Sequence, residues 1–219
     1  MCGRFALYSR PPAVSERLGL PEPEQAWRPR YNVSPGTWIT AAFQPESAGE
    51  LQLGQLWWGY KPKWAKDRAP EPINATVEKV ATSGYFKSAF SRHRSLVPAD
   101  GYYEWIQTPT GKQPHFICRV DRKPLWIAAI WTGRDDGHPG CALITEPARG
   151  PALEVHTRMP LVLDDGSLEA WLDADLTDRE TLRHVVRHLS ADRLTHWPVS
   201  RAVNRSSAEG AALIDPVST

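Results

Sequence analysis

At 219 residues the chain is long enough for one large domain or two small ones, and a domain of that size can bury a real core. Hydrophobic residues make up 41% and charged residues 23%, the ordinary balance of a soluble globular protein. With 26 basic against 25 acidic residues there is no global attraction for nucleic acid, so any basic site must be local.

Cys2, Cys118 and Cys141 form neither a metal-ligand spacing nor an even disulfide set. The start, MCGRFALYSRPP, carries Arg4 and no long apolar core, so it does not read as a signal peptide. No apolar stretch approaches the ~20 residues of a membrane span. A reducing cytoplasm is the natural setting, and Cys2 stays a free thiol there. Ten Trp residues need a large core or something flat to stack on.

In chain order, short runs rich in β-branched and aromatic residues predict strands over 2–7 (CGRFAL), 38–43 (WITAAF) and 51–60 (LQLGQLWWGY). Further strands are expected over 95–105 (SLVPADGYYEW), 115–120 (HFICRV), 125–131 (LWIAAIW), 141–145 (CALIT) and 159–163 (MPLVL). Arg30 to Gly36 reads as a polar turn before the second strand, and Pro62 to Pro72 as a surface loop. A short helix is expected over 83–90 and another over 167–172, capped by Ser167. A third covers 178–189, with Thr177 as N-cap and Leu182, Val185, Val186 and Leu189 on one face. There is no repeat and no low-complexity tract. The expectation is one domain over 1–219, an α+β fold in which a β-rich, barrel-like curled sheet carries peripheral helices.

Cys2 is the most informative position. Methionine aminopeptidases remove Met1 when the second side chain is small. The mature chain then begins with a cysteine bearing a free α-amine and a thiol on adjacent carbons. With an α-amine pKa of about 7.7–8.0, roughly a tenth to a fifth is neutral and nucleophilic at pH 7. Such an amine forms an imine with an aldehyde, and the thiol closes onto the same carbon as a five-membered thiazolidine. An internal cysteine, its nitrogen held in an amide, cannot do this. The plain alternative is a small residue at a frayed terminus.

Other segments concentrate polar groups among apolar ones: Asn32 in RYNVSPG, Asn74 in INATVE, Glu104 in PADGYYEW, and His156 with Arg158 in VHTRMP. Taken singly, Asn32 and Asn74 read as turn formers, Glu104 as a structural carboxylate and His156 as a hydrogen-bonded core histidine. His156 and Arg158 share a face if their segment is extended. His184 and His188 would form half a metal site one helical turn apart, but no third ligand accompanies them, so a solvated helix face is the better reading. Gly-rich phosphate loops are absent, and no metal or other cofactor is expected.

Together MCGRF, RYNVSPG, INA-x-VE, PADGYYEW, H-x-R-MP and the late HWPVSRAVN resemble the SOS-response-associated peptidase (SRAP) family of abasic-site processing proteins. The matches run in family order from residue 2 to about residue 204. The resemblance implies a compact, barrel-like domain with a positive groove for single-stranded DNA; one domain acting on one lesion needs no dimer, so a monomer is expected. It implies Cys2 as the crosslinking nucleophile and Asn32 as a residue that positions the Cys2 end and the opened sugar. Glu104 would manage protons at the amine, and His156 would act as acid/base on the sugar hydroxyl and imine. Arg158 would hold a phosphate beside the lesion and Asn74 would line the pocket; Arg4 would join the DNA contacts. Phe86 and Trp64 are candidates to wedge or stack on flanking bases. Trp57, Trp126 and Trp131 are assigned to the core. Trp64, among Lys61, Lys63, Lys66 and Arg68, fits stacking and core equally.

One departure stands out. Where most relatives read N-A-R-V-E, this chain has Thr76 after Asn74 and Ala75, and Lys79 compensates only if the chain curves there. The leading reading is a lyase-like enzyme that crosslinks itself to abasic sites in single-stranded DNA. Two rivals stay open: an N-terminal-nucleophile peptidase whose activity reduces to removal of Met1, and a non-covalent single-stranded DNA module.

Overall fold

Two sheets share the apolar strands, and a corner at Asp100 passes the chain from one to the other. The computed structural model describes residues 2–22, 27–45 and 49–218. Its strands are β1 (Phe5–Leu7), β2 (Arg30–Val33), β3 (Trp38–Phe43), β4 (Gln52–Trp58), β5 (Asn74–Thr76), β6 (Arg94–Ala99) and β7 (Gly101–Thr108). They continue as β8 (Gly111–Arg119), β9 (Leu125–Gly133), β10 (Pro139–Pro147), β11 (Arg158–Pro160), β12 (Val162–Leu163) and β13 (Leu194–Pro198). The helices are short: α1 (Pro11–Ser15), α2 (Lys87–Arg92), α3 (Leu168–Leu172) and α4 (Arg179–Val185). None is long and apolar enough to cross a membrane.

In the larger sheet, β10, β4, β3, β6 and β9 follow one another, and β9 pairs back onto β10, so these strands close into a barrel. Closure removes free edges and explains why β6, β9 and β10 read as nearly continuous apolar runs: helices or other strands cover their outer faces. Leu96, Ile127, Ile130, Leu143 and Ile144 are fully buried in this core, each contributing about 1.5–3 kcal/mol of burial free energy. The Trp171 indole on α3 donates to the Ser95 carbonyl at 2.9 Å, fixing that helix on β6. The second sheet runs β13-β8-β7-β1-β2 and holds the N-terminal arm.

The segment 95–105, expected as one strand, is two. Asp100 accepts from the Tyr8 and Ser9 N–H groups and from the Ser9 hydroxyl, satisfying the buried carboxylate at the corner. The next residue must be glycine: a Cβ at Gly101 would overlap the Phe116 ring and sit 2.7 Å from the Ile117 carbonyl oxygen.

Several boundaries differ from expectation. The turn read over 30–36 is partly strand β2. Helix α4 is capped by Asp178, whose carboxylate accepts from the Thr181 N–H at 2.7 Å, rather than by Thr177. It also ends at Val185, because Val186 is extended and the Leu189 N–H donates to Val162. His184 and His188 therefore do not share a helix; His188 instead faces Glu146 at 2.8 Å. The helix expected over 83–90 starts later, at Lys87, after a turn closed on Ser83. Trp126 and Trp131 are buried, but Trp57 is only half-buried and donates to Glu71 at 3.1 Å. Strand alternation turns its neighbour Trp58 inward instead, where it is fully buried.

Candidate active site

The N-terminal arm enters the molecule beside β7. Phe5 pairs with Tyr102, and the Tyr103 N–H donates to the Arg4 carbonyl at 2.9 Å. Continued in the same antiparallel sense, the arm runs alongside Glu104. Cys2 is fully buried there. Burial and the charge of Glu104 push its thiol pKa far up, against a smaller opposing pull from the Arg4 N–H. At neutral pH the side chain is a thiol. Met1 lies outside the described residues.

Asn74, at the start of β5, donates from Nδ2 to the Cys2 carbonyl at 2.9 Å. Strand β5 is only three residues long and pairs in parallel with β10, Leu143 opposite Asn74, so the barrel wall sets this contact. The Asn74 Oδ1 is buried and accepts no hydrogen bond among the described residues. Glu104 is 3% exposed on β7. Tyr102, two residues earlier on the same face, is fully buried; burial and the charges of Cys2 and Glu104 raise its phenol well above the ordinary value.

His156 follows the turn Gly150–Glu154 and sits half-buried just ahead of β11. Its Nδ1 lies 3.0 Å from the Arg158 backbone nitrogen and 3.2 Å from the Arg158 carbonyl oxygen, so the ring is held against the start of β11 by either tautomer. Arg158 binds Glu78 through two guanidinium nitrogens, at 2.7 and 3.1 Å, and donates to the Thr145 carbonyl at 2.7 Å. This fork holds the Glu78 carboxyl down at about 2. The Arg158 Nε is buried and unpartnered among the described residues.

Asn32 meets the arm at Arg4. Its Oδ1 accepts from Arg4 at 2.7 Å, while its Nδ2 donates to the Arg205 and Ala208 carbonyls, each at 2.9 Å. Arg4 also donates to the Val203 carbonyl at 2.8 Å, and its buried Nε makes no hydrogen bond among the described residues. The pair thus clamps the arm to the 203–208 segment.

Phe86 and Trp64 belong to one aromatic ladder. Trp64 is 66% exposed and meets Tyr85 edge-on at 5.5 Å; Tyr85 meets Phe86, and Phe86 meets the buried Tyr60, each pair at 5.3 Å. Exposed Lys63, Lys66 and Arg68 lie near Trp64 in the sequence. Lys79 is exposed too, and the chain does curve after β5: the Lys79 and Val80 N–H groups both donate to the Thr76 carbonyl.

The structure therefore gathers Cys2, Asn74 and Glu104 around the arm, and puts His156 and Arg158 at the β10–β11 edge beside β5. Asn32 and Arg4 buttress the arm from the other side. Sequence reasoning missed Tyr102 and Glu78, although both stand inside quoted motifs. Among the described residues, no three His, Cys, Asp or Glu side chains group as a metal site.

The chain matches the family described as SOS response associated peptidase (SRAP) over residues 1–206. It is 35% identical to the "Abasic site processing protein YedK" of Escherichia coli, over 99% of this chain and all of that one. It is 29% identical to the chicken "Abasic site processing protein HMCES", covering 93% of this chain and 74% of that protein. Among solved structures, a Bacteroides thetaiotaomicron protein superposes with a TM-score of 0.78 at 18% identity, over 99% of this chain and 100% of the other. A phage-related protein of Bordetella bronchiseptica gives 0.73 at 32% identity, over 91% of this chain and 95% of the other.

Proposed function

The chain belongs to the SRAP family, and on that footing we propose that it processes abasic sites in single-stranded DNA by capturing the lesion's aldehyde on Cys2. The observation that carries the reading is the Asn74 amide on the Cys2 carbonyl. It supports a residue held by its backbone, so that amine and thiol meet one carbon in fixed geometry.

Met1 is first removed, freeing the Cys2 amine. The neutral amine adds to the aldehyde carbon of the ring-opened sugar, and the resulting carbinolamine loses one water to give an imine. The Cys2 Sγ then bonds to the imine carbon, the thiol proton ends on the nitrogen, and the ring closes. One water leaves overall. Because burial keeps the thiol protonated, the amine attacks first and the thiol needs a nearby base to follow. Glu104 serves as that base and returns the proton to nitrogen, while His156 donates to the leaving oxygen. Arg158 passes from Glu78 to a DNA phosphate, assisted by Arg4 and Lys79. Trp64 and Phe86 stack against neighbouring bases, and Asn32 holds the arm through Arg4. The protein works as a cytoplasmic monomer without a cofactor.

The test is a denaturing gel with an abasic oligonucleotide. The parent is expected to give a covalent band, and Cys2→Ala none, with single-stranded DNA affinity within a few fold of the parent. Cys2→Ser keeps the amine and is expected to give only a borohydride-trappable imine. A full-strength, untrapped band from either variant overturns the reading.

A further inference from the structure

A second set of titratable side chains lies on the face of the second sheet that bears Glu104. Across β7 and β8, Tyr102 stands opposite Ile117 and Glu104 opposite His115; across β8 and β13, Ile117 stands opposite His196. Directly paired residues share a face. Tyr102, Glu104, His115 and His196 therefore share one side of the sheet, and Tyr103, Phe116 and Trp197 form the other. The His115 Nδ1 lies 3.0 Å from the His196 Nδ1, and the His196 Nε2 lies 3.2 Å from the Glu154 carboxylate. Glu154 closes the turn two residues before His156.

The chemistry of this chain fixes its protons. A carboxylate only accepts, so His196 carries a proton on Nε2. Its Nδ1, in the neutral ring, then accepts from the His115 Nδ1–H. The His115 Nε2 then bears the lone pair of that ring, on the residue directly across from Glu104. Burial and the second imidazole both lower the His115 pKa.

We propose that His115 and His196 are positioning residues for the Cys2 site, through which Glu154 sets the tautomer of the imidazole beside Glu104 and ties β7 to the turn carrying His156. This rests on the crosslinking function inferred above. The groups that face the pair are Glu104 from β7 and Glu154 from the turn, with Tyr102 on the same face.

The test follows single-turnover crosslinking from about pH 5 to 9 in the parent, His115→Gln and Glu154→Gln, each lacking Met1. DNA binding and thermal unfolding are measured beside it. Both variants are expected to bind single-stranded DNA within about threefold of the parent, since phosphate contacts lie elsewhere. His115→Gln removes a titrating group and should flatten the acid limb. Glu154→Gln replaces the acceptor that faces the His196 Nε2 by an amide that can also donate, so the tautomer is no longer fixed and the limb should change shape. Profiles that superimpose on the parent's in both variants overturn the proposal. If His115→Gln does not fold, Glu154→Gln decides alone, because that side chain is 69% exposed. No crosslink from the parent at any pH overturns the function itself, and this proposal with it.

Discussion

The Asn74 side chain donates to the Cys2 carbonyl oxygen across 2.9 Å while its own Oδ1, buried, accepts nothing among the described residues. One amide therefore both grips the nucleophilic residue and presents an unused acceptor next to it. Asn74→Ala leaves the Cys2 carbonyl without its donor, a loss of about 1–3 kcal/mol where the group stays buried. Crosslinking at saturating DNA is expected to slow by about tenfold or more, with the fold retained. Single-turnover rates check this. A parental rate would mean that the amide only packs.

Glu104 stands on β7 and His156 in the turn just ahead of β11. His156→Ala is expected to slow crosslinking, and Glu104→Gln to change the balance between formation and reversal, since protons move both ways. General acid/base groups typically contribute about 10²–10⁴-fold in rate. Rates and yields equal to the parent's in both variants, with DNA binding intact, would make these side chains structural.

Arg158 is held by Glu78 in a two-pronged ion pair, so phosphate must compete with a carboxylate for the same fork. Glu78→Gln is expected to tighten single-stranded DNA binding and to steepen log affinity against log salt by up to about 0.7, one extra phosphate neutralised. The pair also carries a pH signature. The folded Glu78 value, about 2, lies below its ordinary 4.5. Its stabilisation is therefore complete above about 4.5 and lost as pH falls toward 2. Because the Glu78 side chain is 52% exposed, that contribution is small. Acid unfolding of parent and Glu78→Gln should converge below that window; a gap that persists at its acid end would place the effect elsewhere.

Thr76 stands where the family motif leads one to expect an arginine. It is half-buried on β5, and its carbonyl starts the turn that carries Lys79. Thr76→Arg should strengthen single-stranded DNA binding and steepen the salt slope by about 0.7, with crosslinking at saturating DNA unchanged. An unchanged slope means that residue 76 does not face the backbone or that Lys79 already fills that place. Lys79→Ala separates the two: if Lys79 compensates, its loss flattens the slope by a similar amount.

The strand 38–43 was legible because its apolar run sits wholly within one barrel wall. Strand β5 was not, because three residues paired in parallel with a segment seventy residues away leave no local period. RYNV reads as polar because β2 is the sheet edge beside β1, where Asn32 and Arg30 face polar partners rather than core. The site residues were legible only through their family motifs. Nothing local to Glu78 tells that its partner lies eighty residues on, and nothing local to His115 or His196 announces their contact.

The most direct measurement of Cys2 capture is the intact mass of the purified crosslink with an abasic oligonucleotide. The expected mass is the chain without Met1 plus the oligonucleotide minus one water, with no Cys2 thiol left to alkylate. A crosslink that retains Met1, or one in which Cys2 still takes up a thiol reagent under denaturing conditions, would contradict thiazolidine formation at the N-terminus.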